Sequence, residues 1–323
     1  MNMEQGLRKS GSRRRFIVQI GAMAAAATVP GCRLLDKGDL SERIIDIHQH
    51  AGYSGRSDEE LLAHQATMGV TRTILLPAGR PMNSESTHQA VSNGLQAQCL
   101  GNEACRAISL RHPGRFLFAA NEVPDAPGAV GEIEKYLKLG GVAIAEQKFG
   151  LECDAPEMQR LYVLAADYNV PILMHWQHEM YNYGFDRFHR MLEKHPRTRF
   201  IGHAQTWWAN VDQNHTNQKE LYPKGPVTPG GWTDVYLRDY PNMYGDLSAG
   251  SGLNSLTRDE GRAVEFLTRH QDKLLYGSDC NDRAGWGDAC QGAQTIATVR
   301  RLVPDLKIRA KIFEGNARRV FRI

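Results

Sequence analysis

Eight short apolar runs, spread along residues 43–280 with helical patterns between them, constrain this chain more than any other feature. They read RIIDIHQH (43–50), TRTILLPAG (71–79), RFLFAANEV (115–123), VAIAEQKFG (142–150), PILMHWQH (171–178), RFIGHAQT (199–206), MYGDLSA (243–249) and KLLYGSDC (273–280). Each has the length of a buried strand. The segments between them place apolar residues at helical spacing. SDEELLAHQATMG opens on a Ser57-x-x-Glu60 capping box and stops at Gly69, and APEMQRLYVLAADYN sets Met158, Leu161, Leu164 and Ala165 on one face. Residues 185–196, 258–270 and 292–304 repeat the scheme, while 82–111 is a longer and less regular helical connection. Parallel strands joined by helices need both sheet faces covered, and eight such units close into a (β/α)8 barrel. A doubly wound open sheet also satisfies the alternation, but it gives no reason for polar residues at the ends of so many strands. With 323 residues, 41% of them hydrophobic, the chain has the size and apolar content for one barrel over residues 44–323.

Those strand ends are the second constraint. The first run ends in His48-Gln49-His50, the fourth in Glu146-Gln147-Lys148, the fifth in His175, the sixth in His203 and the eighth in Asp279. Alternate residues of a strand share a side, so His48 and His50 are expected to project together, and Glu146 and Lys148 likewise. In a barrel the carboxyl ends of all strands meet at one mouth, which gathers side chains spread from residue 48 to residue 279. Singly, each has an ordinary structural explanation, such as a hydrogen-bonded core histidine or a helix-capping aspartate. Jointly they form the donor set of a divalent-metal site, because imidazole and carboxylate are ligands that zinc and related ions accept. Six donors exceed what one tetrahedral ion uses, so room for one or two ions is expected.

This order of ligands resembles that of the amidohydrolase superfamily, and more narrowly its branch of metal-dependent hydrolases and decarboxylases. The resemblance runs from about Ile44 to Ile323 and includes the closing IFEGNARRVFRI. It implies that His48, His50 and Asp279 hold one metal, and that His175 and His203 hold a second in a binuclear member. In a mononuclear member His175 stays a ligand and His203 turns to the substrate or the attacking water. Asp279 is implied to be the general base as well. On the fourth strand such relatives use either a glutamate or a carboxylated lysine. Glu146 is the expected ligand here and Lys148 the expected substrate neighbour; an ion pair between the two, or a carboxylated Lys148, are the alternatives.

A divalent ion such as zinc brings the pKa of a water from about 15.7 to about 7 and polarises a carbonyl oxygen. Hydrolysis of an ester, lactone or amide in a small substrate is the expected activity. The same donors also suit non-oxidative decarboxylation, and a barrel that binds a metal or ligand without turning anything over is the reading outside enzymology. Trp176, His178, Tyr181 and Tyr183 follow the fifth strand, Trp207 and Trp208 the sixth. Trp176 and His178 are expected at the substrate, and Trp207 and Trp208 in packing. Residues 209–232 form a polar connection long enough to act as a lid. Asp246 and Ser248 on the seventh strand are weaker site candidates.

The N-terminus reads as an address. Ser12-Arg13-Arg14-Arg15-Phe16-Ile17, followed by an alanine-rich stretch, resembles a twin-arginine export signal over residues 1–31, with 32–43 as a linker. Val29-Pro30-Gly31-Cys32 resembles a lipoprotein cleavage box, although Pro30 departs from the small residue usual there. Cys32 is therefore either an acylated anchor or an incidental thiol, and the expected location is periplasmic or membrane-anchored. Residues 1–31 hold five of the 39 basic and one of the 36 acidic side chains, so the rest of the chain is balanced to within one charge. A nucleic-acid partner is not expected. A small molecule is, and a homo-oligomer is left open. Cys99, Cys105, Cys153, Cys280 and Cys290 match no zinc-ribbon or redox spacing. Pairing of Cys280 with Cys290, or of Cys99 with Cys105, stands beside free buried thiols as an alternative.

Overall fold

The computed structural model of the chain describes residues 42–78 and 99–323. The signal-like segment, with Arg13, Arg14 and Cys32, lies outside the described residues, as do residues 79–98. All eight apolar runs form strands: β1 (Ile45–Gln49), β2 (Arg72–Leu75), β3 (Phe116–Phe118), β4 (Ile144–Gln147), β5 (Pro171–His175), β6 (Arg199–His203), β7 (Met243–Asp246) and β8 (Leu274–Leu275). Neighbours pair in parallel, β1 to β3 in one run and β4 to β8 in another. Backbone hydrogen bonds close both seams. Ala120 N–H donates to the Ala143 carbonyl (2.8 Å) and Ala145 N–H to that of Ala120 (3.0 Å). On the other side Ile47 N–H donates to Tyr276 (3.1 Å) and Asp279 N–H to His48 (2.8 Å). The result is an eight-stranded barrel without a free edge.

The helices are α1 (Asp58–Thr67), α2 (Asn102–Arg111), α3 (Ala129–Lys138), α4 (Pro156–Asp167), α5 (His189–Lys194), α6 (Gln205–Ala209), α7 (Trp232–Asp239), α8 (Ala249–Thr257), α9 (Glu260–Arg269), α10 (Gln291–Leu302), α11 (Leu306–Ala310) and α12 (Asn316–Phe321). The capping box of α1 is formed as its sequence requires: Glu60 N–H donates to Ser57 Oγ (3.2 Å) and Ser57 N–H to Glu60 Oε2 (2.8 Å). The chain leaves that helix through Gly69 at φ +78°, a conformation with little steric cost for glycine. Helix α4 starts with Pro156 in its first turn and buries Met158, Leu161, Leu164 and Ala165 against the strands. The helical stretch expected over 185–196 is broken into a 3-10 turn at Phe185–Arg187 and the short α5. Only residues 102–111 of the 82–111 connection are described as helix. Glu42, in the segment expected as a linker, pairs with Arg300 and Arg309.

Two apolar bodies hold the fold. One fills the barrel with Ile45, Ile47, Leu173, Ile201 and Leu275, and α12 plugs its lower end with Val320 and Phe321. The other lies between strands and helices and includes Tyr162, Phe200, Trp207 and Phe313. Burial of one such side chain stabilises the fold by about 1.5–3 kcal/mol. Trp207 and Trp208 belong to this packing, as expected, and β6 carries glycine where it meets them: a Cβ on Gly202 would stand 2.4 Å from the Trp207 ring.

Strict alternation fails at two strands. Pairing register shifts between Asp46 and Gln49 in β1 and between Ile144 and Gln147 in β4. Ile47 and Ala145 join the barrel interior, yet the next residues, His48 and Glu146, enter the mouth as well. Such irregularities re-aim side chains beside active sites. Both fall on candidate ligands.

Candidate metal centre

The six strand-end donors meet at the upper mouth. His48 Nε2 and His50 Nε2 each lie 3.5 Å from Glu146 Oε2. Asp279 Oδ1 stands 3.4 Å from His50 Nε2 and 3.8 Å from His48 Nε2, and Asp279 Oδ2 is 3.8 Å from His203 Nε2. Glu146 Oε1 faces the other half of the cluster, 3.7 Å from His203 Nε2 and 2.5 Å from His175 Nδ1. Asp279 reaches this position because it turns just past β8 in the left-handed region, at φ 47°, which aspartate adopts more readily than most residues.

These atoms fit a cation. Five of them, His48 Nε2, His50 Nε2, Glu146 Oε2, His203 Nε2 and Asp279 Oδ1, are buried without a hydrogen-bond partner. A buried polar group left unpaired costs about 1–3 kcal/mol, so a cluster of them that face each other suits a shared cation. Two ligands about 2.0–2.1 Å from a tetrahedral ion stand roughly 3.4 Å apart. The separations of 3.4 and 3.5 Å among His48, His50, Glu146 and Asp279 match that spacing. The 2.5 Å contact of His175 with Glu146 is a hydrogen bond, too close for two ligands of a common ion. One ion position is thus ready, and a second requires that bond to open.

A second layer holds the ligands in place. His48 Nδ1 is 2.7 Å from Asp246 Oδ2, and His50 Nδ1 donates to the Leu76 carbonyl (2.8 Å). Ser248 Oγ lies 2.9 Å from His203 Nδ1 and donates to Asp246 Oδ2 (2.8 Å). Fixing Nδ1 leaves Nε2 free to bind, the usual way a protein sets an imidazole ligand. Asp46 ties β1 to β8 beneath them by accepting from His48 N–H (3.0 Å) and Ser278 N–H (2.9 Å). Asp246 and Ser248 were legible only as weak candidates, because their partners lie some 200 positions away in the chain and touch no motif.

Charge is balanced by protons when no cation is present. Burial opposes a charged His48, but Asp279, Asp246 and Glu146 outweigh it and push its pKa up to about 10. His50 moves well upward too, with burial overcome by Cys99, Asp279 and Glu146. Buried beside that charge, His203 is driven down to about 3 and is neutral. Burial works against the Glu146 and Asp279 carboxylates, yet the imidazoles of His175 and His48 hold Glu146 low, and those of His48 and His50 hold Asp279 low. A divalent cation and two protons are therefore alternative ways to neutralise this pocket.

One expectation for the substrate residues changes. Trp176 is fully buried and packs edge-on against Phe185 and Phe188, so it belongs to the core and faces no substrate. Its place next to the inward His175 turns it outward. Lys148 follows β4 at the mouth, with Nζ 5.4 Å above the Tyr181 ring, and forms no ion pair with Glu146 among the described residues. Glu146, by contrast, faces His48, His50 and His203 within the cluster. His178 lines a cavity of about 690 Å³ together with Gln177, Arg187, Gln213, His215 and Trp232. Gln177, which also lines it, sets Oε1 3.3 Å from His175 Nε2, and residues of the long 209–232 connection wall the cavity; none of the six donors lines it. Tyr53, unnoticed in the sequence, sets its ring edge-on to His50 at 5.3 Å.

The family model for amidohydrolases matches residues 45–323. The chain belongs to the amidohydrolase family. Among solved structures this amidohydrolase resembles a 5-carboxyvanillate decarboxylase from Sphingomonas paucimobilis, with a TM-score of 0.56 at 15% identity over 88% of this chain and 100% of that one. A probable 2-pyrone-4,6-dicarboxylic acid hydrolase from Acinetobacter baumannii gives a TM-score of 0.56 at 13% identity, over 87% and 99%. A 5-carboxyvanillate decarboxylase from Novosphingobium aromaticivorans, complexed with manganese and 4-hydroxy-3-methoxy-5-nitrobenzoic acid, gives 0.55 at 12%, over 88% and 97%. At these identities the likeness establishes the shared barrel. Comparison with curated proteins gives no match.

Proposed function

We propose that this amidohydrolase is a divalent-metal-dependent hydrolase of small esters, lactones or amides. The observation that carries the proposal is the set of five buried, unpartnered donor atoms with Asp279 at their open edge. The Asp279 side chain is 16% exposed, against 5% or less for the other five ligands. A bound divalent ion, with zinc the first candidate, supplies Lewis acidity and an acidic water. The chain's own groups do the remainder. Asp279 accepts the proton of the attacking water and returns it to the leaving group. Neutral His203, with Nδ1 held by Ser248, offers Nε2 to the reacting oxygen or to a second ion. Lys148, at the rim over Tyr181, provides a positive charge for an anionic substrate group. The cavity lined by His178 receives the rest of the molecule.

Decarboxylation of an aromatic acid is the second reading. It is favoured by the single ready ion position and by the aromatic acids named for two of the similar barrels. The two readings separate in one experiment. The full chain, loaded with zinc or manganese, is offered lactones, esters, amides and hydroxybenzoates while proton release and carbon dioxide are followed. Proton release from a neutral ester or lactone, lost in Asp279→Asn, supports hydrolysis. Carbon dioxide from a benzoate without any hydrolysis transfers the assignment, and metal binding with neither product leaves a binding protein. Twin-arginine export is proposed on the strength of Ser12 to Ile17 alone. Arg13→Lys with Arg14→Lys should keep the chain in the cytoplasm, and an unchanged envelope location overturns that proposal.

A further inference from the structure

A second cluster of metal-binding side chains lies outside the barrel mouth, under the loop that leaves β8. It brings together His64 of α1, Cys280 and Asp282 of the loop, and Cys290 at the start of α10, one donor atom from each lying within 4.8 Å of all the others. Cys280 Sγ and Cys290 Sγ are 3.5 Å apart and Cys290 Sγ and His64 Nε2 3.7 Å, while the 2.9 Å between His64 Nε2 and Asp282 Oδ1 is a hydrogen bond that must lengthen to roughly 3.4 Å for both to bind one ion. For zinc bound at about 2.3 Å by sulfur and about 2.0–2.1 Å by nitrogen, tetrahedral spacing is roughly 3.8 Å between sulfurs and 3.6 Å between sulfur and nitrogen. The thiol spacings are close to those values and far from the bond of about 2.05 Å that a disulfide makes. We propose that His64, Cys280, Asp282 and Cys290 form a structural zinc site whose donors are distinct from those at the barrel mouth.

The surroundings suit such an ion. Cys290 caps α10, and its Sγ accepts from Ala293 N–H (3.4 Å), while Cys280 Sγ accepts from Gly292 N–H (3.0 Å). Backbone donors at a helix start stabilise thiolates, the form that binds metal. Asp282 is held for the purpose as well: its Oδ2 accepts from Ala284 N–H (2.9 Å) and Gly285 N–H (2.8 Å), which aims Oδ1 at His64. Gly285, at φ +72°, lets the loop close on α1; a Cβ there would stand 2.5 Å from the His64 carbonyl oxygen. Buried Arg56 donates to the Cys280 carbonyl (3.0 Å) and the Asp282 carbonyl (2.7 Å). Two thiolates, one carboxylate, one guanidinium and a divalent ion sum to zero, so loading zinc with release of two thiol protons buries no net charge. An ion here would pin the loop beginning one residue after Asp279, and with it the position of the catalytic carboxylate.

Cobalt distinguishes this site from the catalytic centre without any turnover. The catalytic donors are nitrogen and oxygen only, whereas thiolate ligands give cobalt a near-ultraviolet charge-transfer band. The reduced, chelator-stripped full chain should develop that band on addition of Co²⁺, keep it in His48→Ala with His50→Ala, and lose it on displacement by one equivalent of Zn²⁺. Cys290→Ser should abolish the band and lower bound zinc by one ion per chain. No band in wild-type protein whose thiols are shown to be reduced overturns the proposal, and that measurement needs no variant to fold. A native Cys280–Cys290 disulfide that gives no band after reduction overturns it equally.

Discussion

Removing one buried charge should weaken metal binding at the strand-end cluster without touching a candidate ligand. Asp246 Oδ2 lies 2.7 Å from His48 Nδ1 and accepts from Ser248 Oγ (2.8 Å), while Oδ1 accepts from Ser248 N–H (3.0 Å). Both Asp246 and His48 are fully buried, so water cannot replace the carboxylate. Asp246→Asn preserves shape and one acceptor and removes the charge that makes His48 a stronger base. Loss of such a partner typically lowers metal affinity 10–100-fold, which at 1.4 kcal/mol per tenfold is about 1.4–2.8 kcal/mol. Ser248 Oγ also sits 3.2 Å from His48 Nδ1 and can accept its proton, which places the expected loss near tenfold. Competition with a chromophoric chelator measures the affinity, and circular dichroism checks that the barrel is folded. Alanine is the poorer choice, because it would strand the Ser248 donors as well. A folded Asp246→Asn protein that binds metal within about twofold of wild type would refute the claim that this carboxylate tunes His48.

Three further outcomes are expected. Lys148→Met should leave metal content intact and mainly raise KM for an anionic substrate, as lost uniform binding does; metal loss from the folded variant would make a carboxylated Lys148 the bridging ligand in place of Glu146. Gly202→Ala forces a Cβ to within 2.4 Å of the fully buried Trp207 ring and should cost about 1–3 kcal/mol, read as a lower denaturation midpoint; an unchanged midpoint contradicts the packing described. Asp234 is held below the usual carboxylate range, burial notwithstanding, by His270 at 2.6 Å and Arg269 at 3.1 Å. Its folded pKa lies under the unfolded value of about 3.9, so its contribution is complete above that pH and drains away as pH falls through the folded value. Asp234→Asn should flatten the acid limb of the stability curve, and an acid limb as steep as wild type would disprove the linkage.

The barrel was legible because β/α alternation and apolar period are local properties. Ser57-x-x-Glu60, Gly69 and the buried face of α4 could all be read within a dozen residues and all appear in the fold. That the candidate ligands meet was legible for a different reason: polar residues at the ends of buried runs have to go somewhere, and a barrel sends them to one mouth. What escaped depended on irregularity or distance. Strict alternation turns only one of Ala145 and Glu146 inward, but the register shift in β4 brings both to the inner side. Trp176 looked like a substrate residue from its neighbourhood, whereas its strand turns it into the outer core. Cys280 and Cys290 matched no metal-binding spacing, because the cluster they enter takes His64 from a helix more than two hundred positions earlier.

The central claim is that the strand-end cluster holds a divalent ion, and Mn²⁺ titration of the chelator-stripped full chain tests it most directly. Manganese prefers nitrogen and oxygen donors to thiolates, so it reports the mouth of the barrel and passes over the cysteine cluster. At least one equivalent should bind, with affinity falling at lower pH because the ion displaces protons from His48 and His50, and His48→Ala with His50→Ala should abolish binding. A wild-type chain that takes up no Mn²⁺, or a double variant that binds it equally well, would contradict the account.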